Sequence, residues 1–475
     1  MSISNEGRKI ISLGKRDDAE AIDEPMVTID FFEILLPCRK FKIGYKVAER
    51  GAVSVTTEFL LRLLYSVDGM DENDIAEFFG FDAREIAFVL DEVTTWDYAV
   101  SRDGRVWLTE MGRRLFRNGE TTPHILSVEK RSDLVGFDMF SLCPQDFEPM
   151  NRFDLSLPEL IIPEAVLAAS AVKRVQISFH THFPEIGFRR KGSVSESQQY
   201  LYSVDSVTPD QKFYSVVPVT VVAKGGRSGS AEVDLSKWRS GHELEDREEI
   251  ASAVSLYLEG LKRAKSMHDN WAFDQLTKLA PDFLRDFMRQ DGFAIDRYHK
   301  SAVARVGDLR TDRPTIPLIG SLFTPSNNEK LRLALHYGLS QATSSDMPIP
   351  ECMHWLIPSG HWGHTRAMPA TLSALKRAIL KDHSSELGDL KTIAWRPAKE
   401  KYSRLVGDNF SEVRSISEIN LPSSNLEVLW VPGLLVAALV HAPIKSMFAL
   451  PVPLGILSFD PAVVERAAHL FPQTI

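Results

Sequence analysis

VSVTTEFLLRLLYSVDGMDENDIAEFFGFDAREIAFVLDEVTTWDYAVSRDGRVWLTEMGRRLF, residues Val53–Phe116, is the stretch on which the reading of this chain turns. Thr57 is placed to cap a helix whose apolar positions Phe59, Leu60, Leu63, Leu64 and Val67 fall at helical spacing, with Gly69 to stop it. Asp71 offers a cap to a short helix carrying Ile75, Ala76, Phe78 and Phe79, closed by Gly80. Asp82 caps a third, with Ile86, Val89, Leu90 and Val93 on one face. Tyr98–Val100 and Val106–Leu108 then alternate as strands around Arg102-Asp103-Gly104, the sequence of a type I′ hairpin turn. A closing helix, Glu110–Phe116, follows Thr109.

Three short helices, a hairpin and a closing helix in this spacing resemble a winged helix-turn-helix, and the LTEMGRRLF ending is similar to that of its bacterial regulators. The resemblance implies DNA contact. Yet the third helix carries Asp82, Arg84, Glu85, Asp91 and Glu92, preceded by Asp71, Glu72, Asp74 and Glu77. Carboxylates held against phosphates repel them, so this helix is a poor groove reader. Positive charge sits on Arg102 and Arg105 of the wing and on Arg113, Arg114 and Arg117 behind it, with Arg39, Lys40, Lys42, Lys46 and Arg50 upstream. The expected partner is double-stranded DNA held through its phosphates without base readout, by Arg102, Arg105, Arg113, Arg114, Lys40 and Lys42. Docking of other protein subunits on the same fold is the alternative.

At 475 residues the chain is too long for one core. Its 44% hydrophobic and 25% charged residues are those of a globular protein, and a net charge of −9 excludes a surface made wholly for nucleic acid. Three scattered cysteines, Cys38, Cys143 and Cys352, form no disulfide framework and predict a reducing, cytoplasmic setting. No secretory signal opens the sequence, and residues 1–25 read as a polar flexible tail. The apolar run Val428–Leu457 is broken by Pro432, His441, Pro443, Lys445, Pro451 and Pro453, short of the ~18 uninterrupted residues of a membrane span.

The expected organisation is therefore a mixed α+β and α/β multidomain chain. Residues 26–120 form the winged-helix domain, 125–240 a mixed α+β domain, 241–312 a helical connector and 313–475 an α/β domain. In the second, Val175–His180, Gln199–Val204 and Phe213–Ala223 are predicted strands, Pro158 and Pro163 bracket a short helix, and Lys224-Gly-Gly-Arg-Ser-Gly is a turn. From Arg313 onward strands at Thr315–Phe323, Met353–Ile357, Leu390–Ile393, Leu426–Val431, Leu434–His441 and Leu454–Phe459 alternate with helices at Glu329–Gln341 and Pro369–Leu380.

Three groups of residues are candidates for chemistry. His441, with Gly455 and Ser458 a hairpin later, resembles a phospholipase D-like unit, in which a His-x-Lys-x4-Asp strand precedes a Gly-Ser-x-Asn strand and the histidine attacks phosphorus. Pro443, Phe448, Ile456 and Ser458 stand where that pattern has Lys, Asp, Ser and Asn, which implies a degenerate site, with His441 packed shut and structural. Cys352, His354, His361 and His364 are candidate metal ligands if the Gly/His loop folds back on its strand, though no second Cys pair or acidic partner accompanies them. That loop equally suits a pocket at the carboxyl end of its strand. His180 and His182 share a face if their segment is a strand, with no further ligand motif after them. No cofactor is implied.

The function expected from these residues is a non-catalytic DNA-binding or adaptor subunit of a bacterial multi-protein system for DNA processing or antiviral defence, that setting being implied by the resemblance alone. The alternatives are a phosphodiesterase or nuclease centred on His441 and a winged-helix transcription regulator.

Overall fold

The computed structural model describes residues 10–12, 26–50, 54–67, 69–116, 120–123, 126–163, 171–191, 199–224, 231–236, 238, 247–290, 292–304, 309–381, 390–397, 404–417, 423–444 and 448–472. Most of the expected tail, Arg117, Lys445 and the glycine turn after Lys224 lie outside them. The chain is a mixed α+β protein in two compact units: residues 40–137 with 170–211, and residues 1–39, 138–169 and 212–475. These lines differ from the four consecutive domains expected, because two long strands, at Met26–Arg50 and Gln199–Lys224, contribute to both units.

In chain order the elements begin with β1 (Ile10–Ser12), β2 (Met26–Arg50), α1 (Val55–Ser66), β3 (Met70–Asp71), α2 (Glu72–Phe79) and α3 (Ala83–Thr95). Next come β4 (Ala99–Arg102), β5 (Arg105–Leu108), α4 (Glu110–Arg114), β6 (Leu126–Asp138), α5 (Ala171–Lys191), β7 (Gln199–Lys224) and β8 (Ala231–Asp234). One sheet takes the order β1-β8-β7-β2-β6. Within Val55–Arg114 the local signals act largely as read. Asp71 and Asp82 cap α2 and α3, the second through a full capping box with Glu85, and Gly80 closes α2 at φ 70°. Asp103 and Gly104 both take positive φ, as a type I′ turn demands. Ser54 rather than Thr57 caps α1, while Thr57 is buried beneath it. Leu60, Leu61, Leu64, Ile75, Val89, Val93, Val106 and Leu108 form this segment's core.

Two expectations for the middle of the chain fail. Val175–His180 is part of α5, not a strand: Val175, Phe179 and Ile186 fall on one helical face and are buried, while Ile177 is 67% exposed. His180 and His182 therefore share no strand face. Pro158–Pro163 is extended, because Leu35 N–H donates to Pro158 O and Leu160 N–H to Leu35 O, each at 2.7–2.9 Å, so β2 takes the hydrogen bonds a helix would need.

The chain continues with α6 (Glu248–Leu261), α7 (Met267–Leu279), α8 (Pro281–Leu284), β9 (Met288–Arg289), β10 (Gly292–Phe293) and α9 (Ile295–Ala304). Then follow β11 (Thr315–Ile319), α10 (Pro325–Ser344), β12 (Cys352–Leu356), α11 (Ala367–Leu380), β13 (Lys391–Pro397), α12 (Arg404–Gly407), β14 (Glu412–Ile416), β15 (Leu426–Val431), β16 (Leu435–Ala442), β17 (Val452–Ser458) and α13 (Pro461–Arg466). Thr324 caps α10, in place of the asparagines expected there. The seven-stranded mixed sheet runs β11-β17-β16-β15-β12-β13-β14. Successive residues of its central strands alternate between two cores: Val436, Ala438 and Val440 join one with α6, α7 and α9, and Ala437 and Leu439 the other with α10 and α11.

Strand directions fix where a site can lie. β15 is antiparallel to both β12 and β16, so those two point the same way; β17 relates β11 to β16 likewise. The loops after β11, β12 and β16 therefore meet at one end of the sheet, where α/β architectures leave a crevice. Among the described residues no helix is long and apolar enough to cross a membrane.

Candidate active site

A cleft of about 270 Å³ occupies that end of the sheet. Its polar lining is Asp30 of β2, Lys262 and Arg263 after α6, Ser321 after β11, Ser359, His361 and His364 after β12, Asn425 before β15 and His441 near the end of β16. Phe31, Phe32, Phe323 and Trp362 supply its apolar wall.

Two histidine–carboxylate pairs face this cleft. His441 Nε2 lies 2.8 Å from Glu427 Oε2, a diagonal contact between β16 and β15 on one face of the sheet. Glu427 is 1% exposed, and its other oxygen accepts from the indole N–H of Trp355 at 3.0 Å and of Trp362 at 2.8 Å. Three N–H groups thus converge on one buried carboxylate, which makes its burial tolerable. The second pair is His361 Nε2 with Asp30 Oδ2, also 2.8 Å. Burial pushes the Asp30 carboxyl up, but the hydrogen bond and charge of His361, the Phe31 amide and the charge of His441 together hold it below the usual carboxylate range. That His441 is felt at Asp30 sets the two pairs within electrostatic reach of each other. In each histidine Nδ1 has no partner among the described residues.

The loop bearing His361 is fastened along its length. Ile357 N–H donates to Trp395 O, Ser359 N–H to Ser424 O, and Glu33 N–H to His364 O. The Glu33 carboxylate takes the Arg366 N–H, and Arg366 Nε reaches Asp154 at 2.7 Å. Burial, only partly offset by Arg366, raises the Glu33 pKa. His364 lies beside this clamp with its Nδ1 buried and without a hydrogen bond among the described residues; burial and the neighbouring His361 charge lower its pKa to about 4, so it is neutral near pH 7. Arg263 brings a cation whose Nη groups meet both Asp269 oxygens at 2.6 and 2.9 Å and whose Nη2 also donates to the His441 carbonyl. Asn425 Nδ2 donates to the same Asp269 at 2.8 Å. The charge of Arg263 is therefore largely matched.

Comparison with protein-family models, curated proteins and solved structures gives no match. The site stands on its own geometry.

That geometry corrects the expectation for His441, which is not packed shut. The imidazole lines the cleft, and Phe448, expected to fill the position of a missing acid, is 63% exposed and outside the lining. Gly455 and Ser458 lie on β17 beside β16, but their register partners are Leu439 and Val436, two residues and more from His441, which faces Pro453. The four candidate metal ligands fall into two separate sets. Cys352 Sγ and His354 Nε2 are 3.2 Å apart, and His354 Nδ1 accepts from Trp395 Nε1 at 3.0 Å, its ring stacked on Trp430. Burial and the Arg414 charge lower the His354 pKa to about 4, the state of a satisfied core histidine. His361 and His364 belong to the cleft instead. Among the described residues no three His, Cys, Asp or Glu side chains gather as a metal site.

Of the basic residues, Arg102 and Arg105 are exposed and stand directly opposite each other across the hairpin. Arg113 and Arg114 are exposed on α4, where Arg114 pairs with Glu110 at 2.6 Å. Lys42 is exposed and Lys40 half-buried on β2. Part of the acidity of α3 is structural: Asp82 and Glu85 form its capping box, and Glu92 accepts from Ser54 and Thr57 of α1. Sequence reasoning missed Asp30, Glu33, Arg263 and Glu427. The signal for three of them is an acid inside an otherwise apolar strand run, Ile29-Asp30-Phe31-Phe32-Glu33-Ile34 and Leu426-Glu427-Val428.

Proposed function

We propose that the chain is a phosphodiester-cleaving enzyme whose reactive groups are His441 and His361, and that its helix–hairpin segment holds nucleic acid through phosphates. The observation that carries this reading is the convergence of two histidine–carboxylate pairs on one cleft at the carboxyl ends of β12 and β16. A single histidine cannot both attack phosphorus and protonate a leaving group; two, each oriented by its own carboxylate, can.

In this reading Glu427 holds His441 in the tautomer with its proton on Nε2, so the Nδ1 lone pair attacks phosphorus. The bond to the leaving oxygen breaks as His361, oriented by its hydrogen bond to Asp30, gives that oxygen a proton. Water then attacks phosphorus while His361 accepts its proton, and the phosphorus–nitrogen bond breaks with its electron pair returning to His441. The phospholipase D-like resemblance around His441 and Gly455 supports the phosphoryl assignment, as does their placement on strands joined by one hairpin. Support for nucleic acid comes from the winged-helix order of α1, α2, α3, β4 and β5, and from the like-charged Arg102–Arg105 pair. Such a pair is unfavourable until an anion lies across it.

The adaptor reading keeps one specific support. Pro443 stands in the place of the expected phosphate-binding lysine, and the cations lining the cleft, Lys262 and Arg263, already pair with Glu259 and Asp269. Hydrolysis of bis-p-nitrophenyl phosphate and of labelled duplex and single-stranded DNA, measured in EDTA, separates the two. Turnover lost in His441→Ala and in His361→Ala, with a phosphorylated histidine trapped by alkaline denaturation on the peptide carrying His441, is the expected result. No turnover of any of these substrates by the intact chain would refute the enzymatic reading and leave the adaptor.

A further inference from the structure

Helix α6 is apolar over a wide arc. Ile250, Val254 and Leu258 enter the core, as an amphipathic helix requires. Ala253, Tyr257 and Leu261 flank that face, half-buried against the same core, and with the exposed Leu256 they line an open groove of about 730 Å³. Leu256 is 72% exposed, and across the groove Ile161 is 88% exposed on the extended segment beside β2. Exposed apolar side chains on both sides of a groove mark a contact surface.

The shape of the groove selects its occupant. Its lining on α6 repeats at Glu249, Ser252, Ala253, Leu256, Tyr257 and Gly260, three turns of one helix face, roughly 16 Å long. Small side chains at Ser252, Ala253 and Gly260 let another backbone approach closely, and Leu256 and Ile161 offer apolar contacts on either side. The charged groups on its lining, Glu159, Glu248 and Glu249, are all acidic. A long, narrow, apolar floor with an acidic rim fits a helix laid lengthwise, its leucines inward and its lysines or arginines at the rim. We infer that the α6 groove is the docking site for an amphipathic helix of a partner protein, apolar on one face and basic along its flanks. The groove ends at Gly260 and Leu261, which also line the reactive cleft, so a docked helix would sit against the segment that carries Arg263.

Fluorescence anisotropy of a labelled leucine–lysine amphipathic peptide, about five turns long, tests this on the full chain without reference to activity. Binding is expected to weaken at least about tenfold in Leu256→Asp and in Glu248→Lys/Glu249→Lys, and a leucine–glutamate peptide of the same pattern is expected not to bind. Ser252→Trp distinguishes a groove from a merely sticky patch, since it adds apolar surface while filling the floor. Loss of binding in Ser252→Trp, with thermal unfolding unchanged, supports the docking site. Equal or tighter binding to Ser252→Trp, equal binding to Leu256→Asp, or no binding to the intact chain would overturn it.

Discussion

Glu427 is the residue whose replacement tests the construction of the cleft most sharply. Its carboxylate is buried and accepts from Trp355, Trp362 and His441 at once. Glu427→Ala leaves two indole N–H groups buried without acceptors, each costing about 1–3 kcal/mol, while His441, at the cleft wall, can turn to water. The expected loss is therefore about 2–6 kcal/mol, before any cavity cost. Glu427→Gln is different in kind. Its carbonyl oxygen can keep both indoles, as neutral bonds of roughly half the strength, for an expected loss of about 1–2 kcal/mol. Its amide nitrogen then meets His441 Nε2 as a donor, which forces the imidazole proton onto Nδ1. Nitrogen chemical shifts of the His441 ring read that tautomer directly, and urea unfolding followed by tryptophan emission reads the stability. If Gln and Ala cost the same, or if His441 keeps its tautomer in Glu427→Gln, the carboxylate is not what orients the ring and the proposed nucleophile loses its basis.

Other outcomes follow from the same structure. His361→Ala and His441→Ala should each lower phosphodiester turnover per folded molecule by about 10²-fold or more, and each should also lower the unfolding midpoint, because a buried carboxylate loses its imidazole partner. Acidification should destabilise the fold between pH ~6.5 and ~4. His354 and His364 stay neutral in the folded state down to about pH 4 but take up protons near 6.5 when unfolded, so stability falls as pH drops through that window, and His364→Gln should flatten the slope in urea midpoints. Arg102→Ala/Arg105→Ala should weaken DNA binding equally across sequences and reduce the salt slope by about 2, in a titration of affinity against salt. Gly455→Ala should cost at least about 2–4 kcal/mol in denaturation, since a Cβ there would stand 1.8 Å from the Ala438 carbonyl of the neighbouring strand.

How far the sequence could be read depended on whether the signal was local. Asp82, Gly80 and Asp103-Gly104 act on their own neighbours through caps and turns, and those elements appear where the residues place them. The alternation of strands and helices after Thr315 was legible for the same reason. Val175–His180 misled because Ile177, which gives the segment its period of two, is exposed, while Val175 and Phe179, four residues apart, share the buried face of a helix. The cleft was half legible. His361, His364 and His441 stood out as residues, but their carboxylates come from β2 and β15, at the far end of the chain and on a neighbouring strand. No spacing rule links Asp30 to His361 across 331 residues. Cys352 and His354 suggested a ligand pair by strand parity, yet three aromatic neighbours and an indole bond claim His354 for the core.

The order of strands in the seven-stranded sheet has a consequence for how the chain is made. β11, the first of these strands to leave the ribosome, hydrogen-bonds along the sheet to β17, the last. Until residues 452–458 have emerged, β11 has no partner in this sheet and β16 has an open side, so the sheet cannot close during synthesis. β16 can pair with β15 earlier, but the strand that seals His441's side arrives afterwards. A nascent or prematurely terminated chain would thus carry unpaired apolar edges, whereas its helix–hairpin segment, complete by Arg114, would already have made its local contacts. Ribosome-bound intermediates of this protein should draw chaperones over the interval between β11 and β17, and release them when the last strand docks.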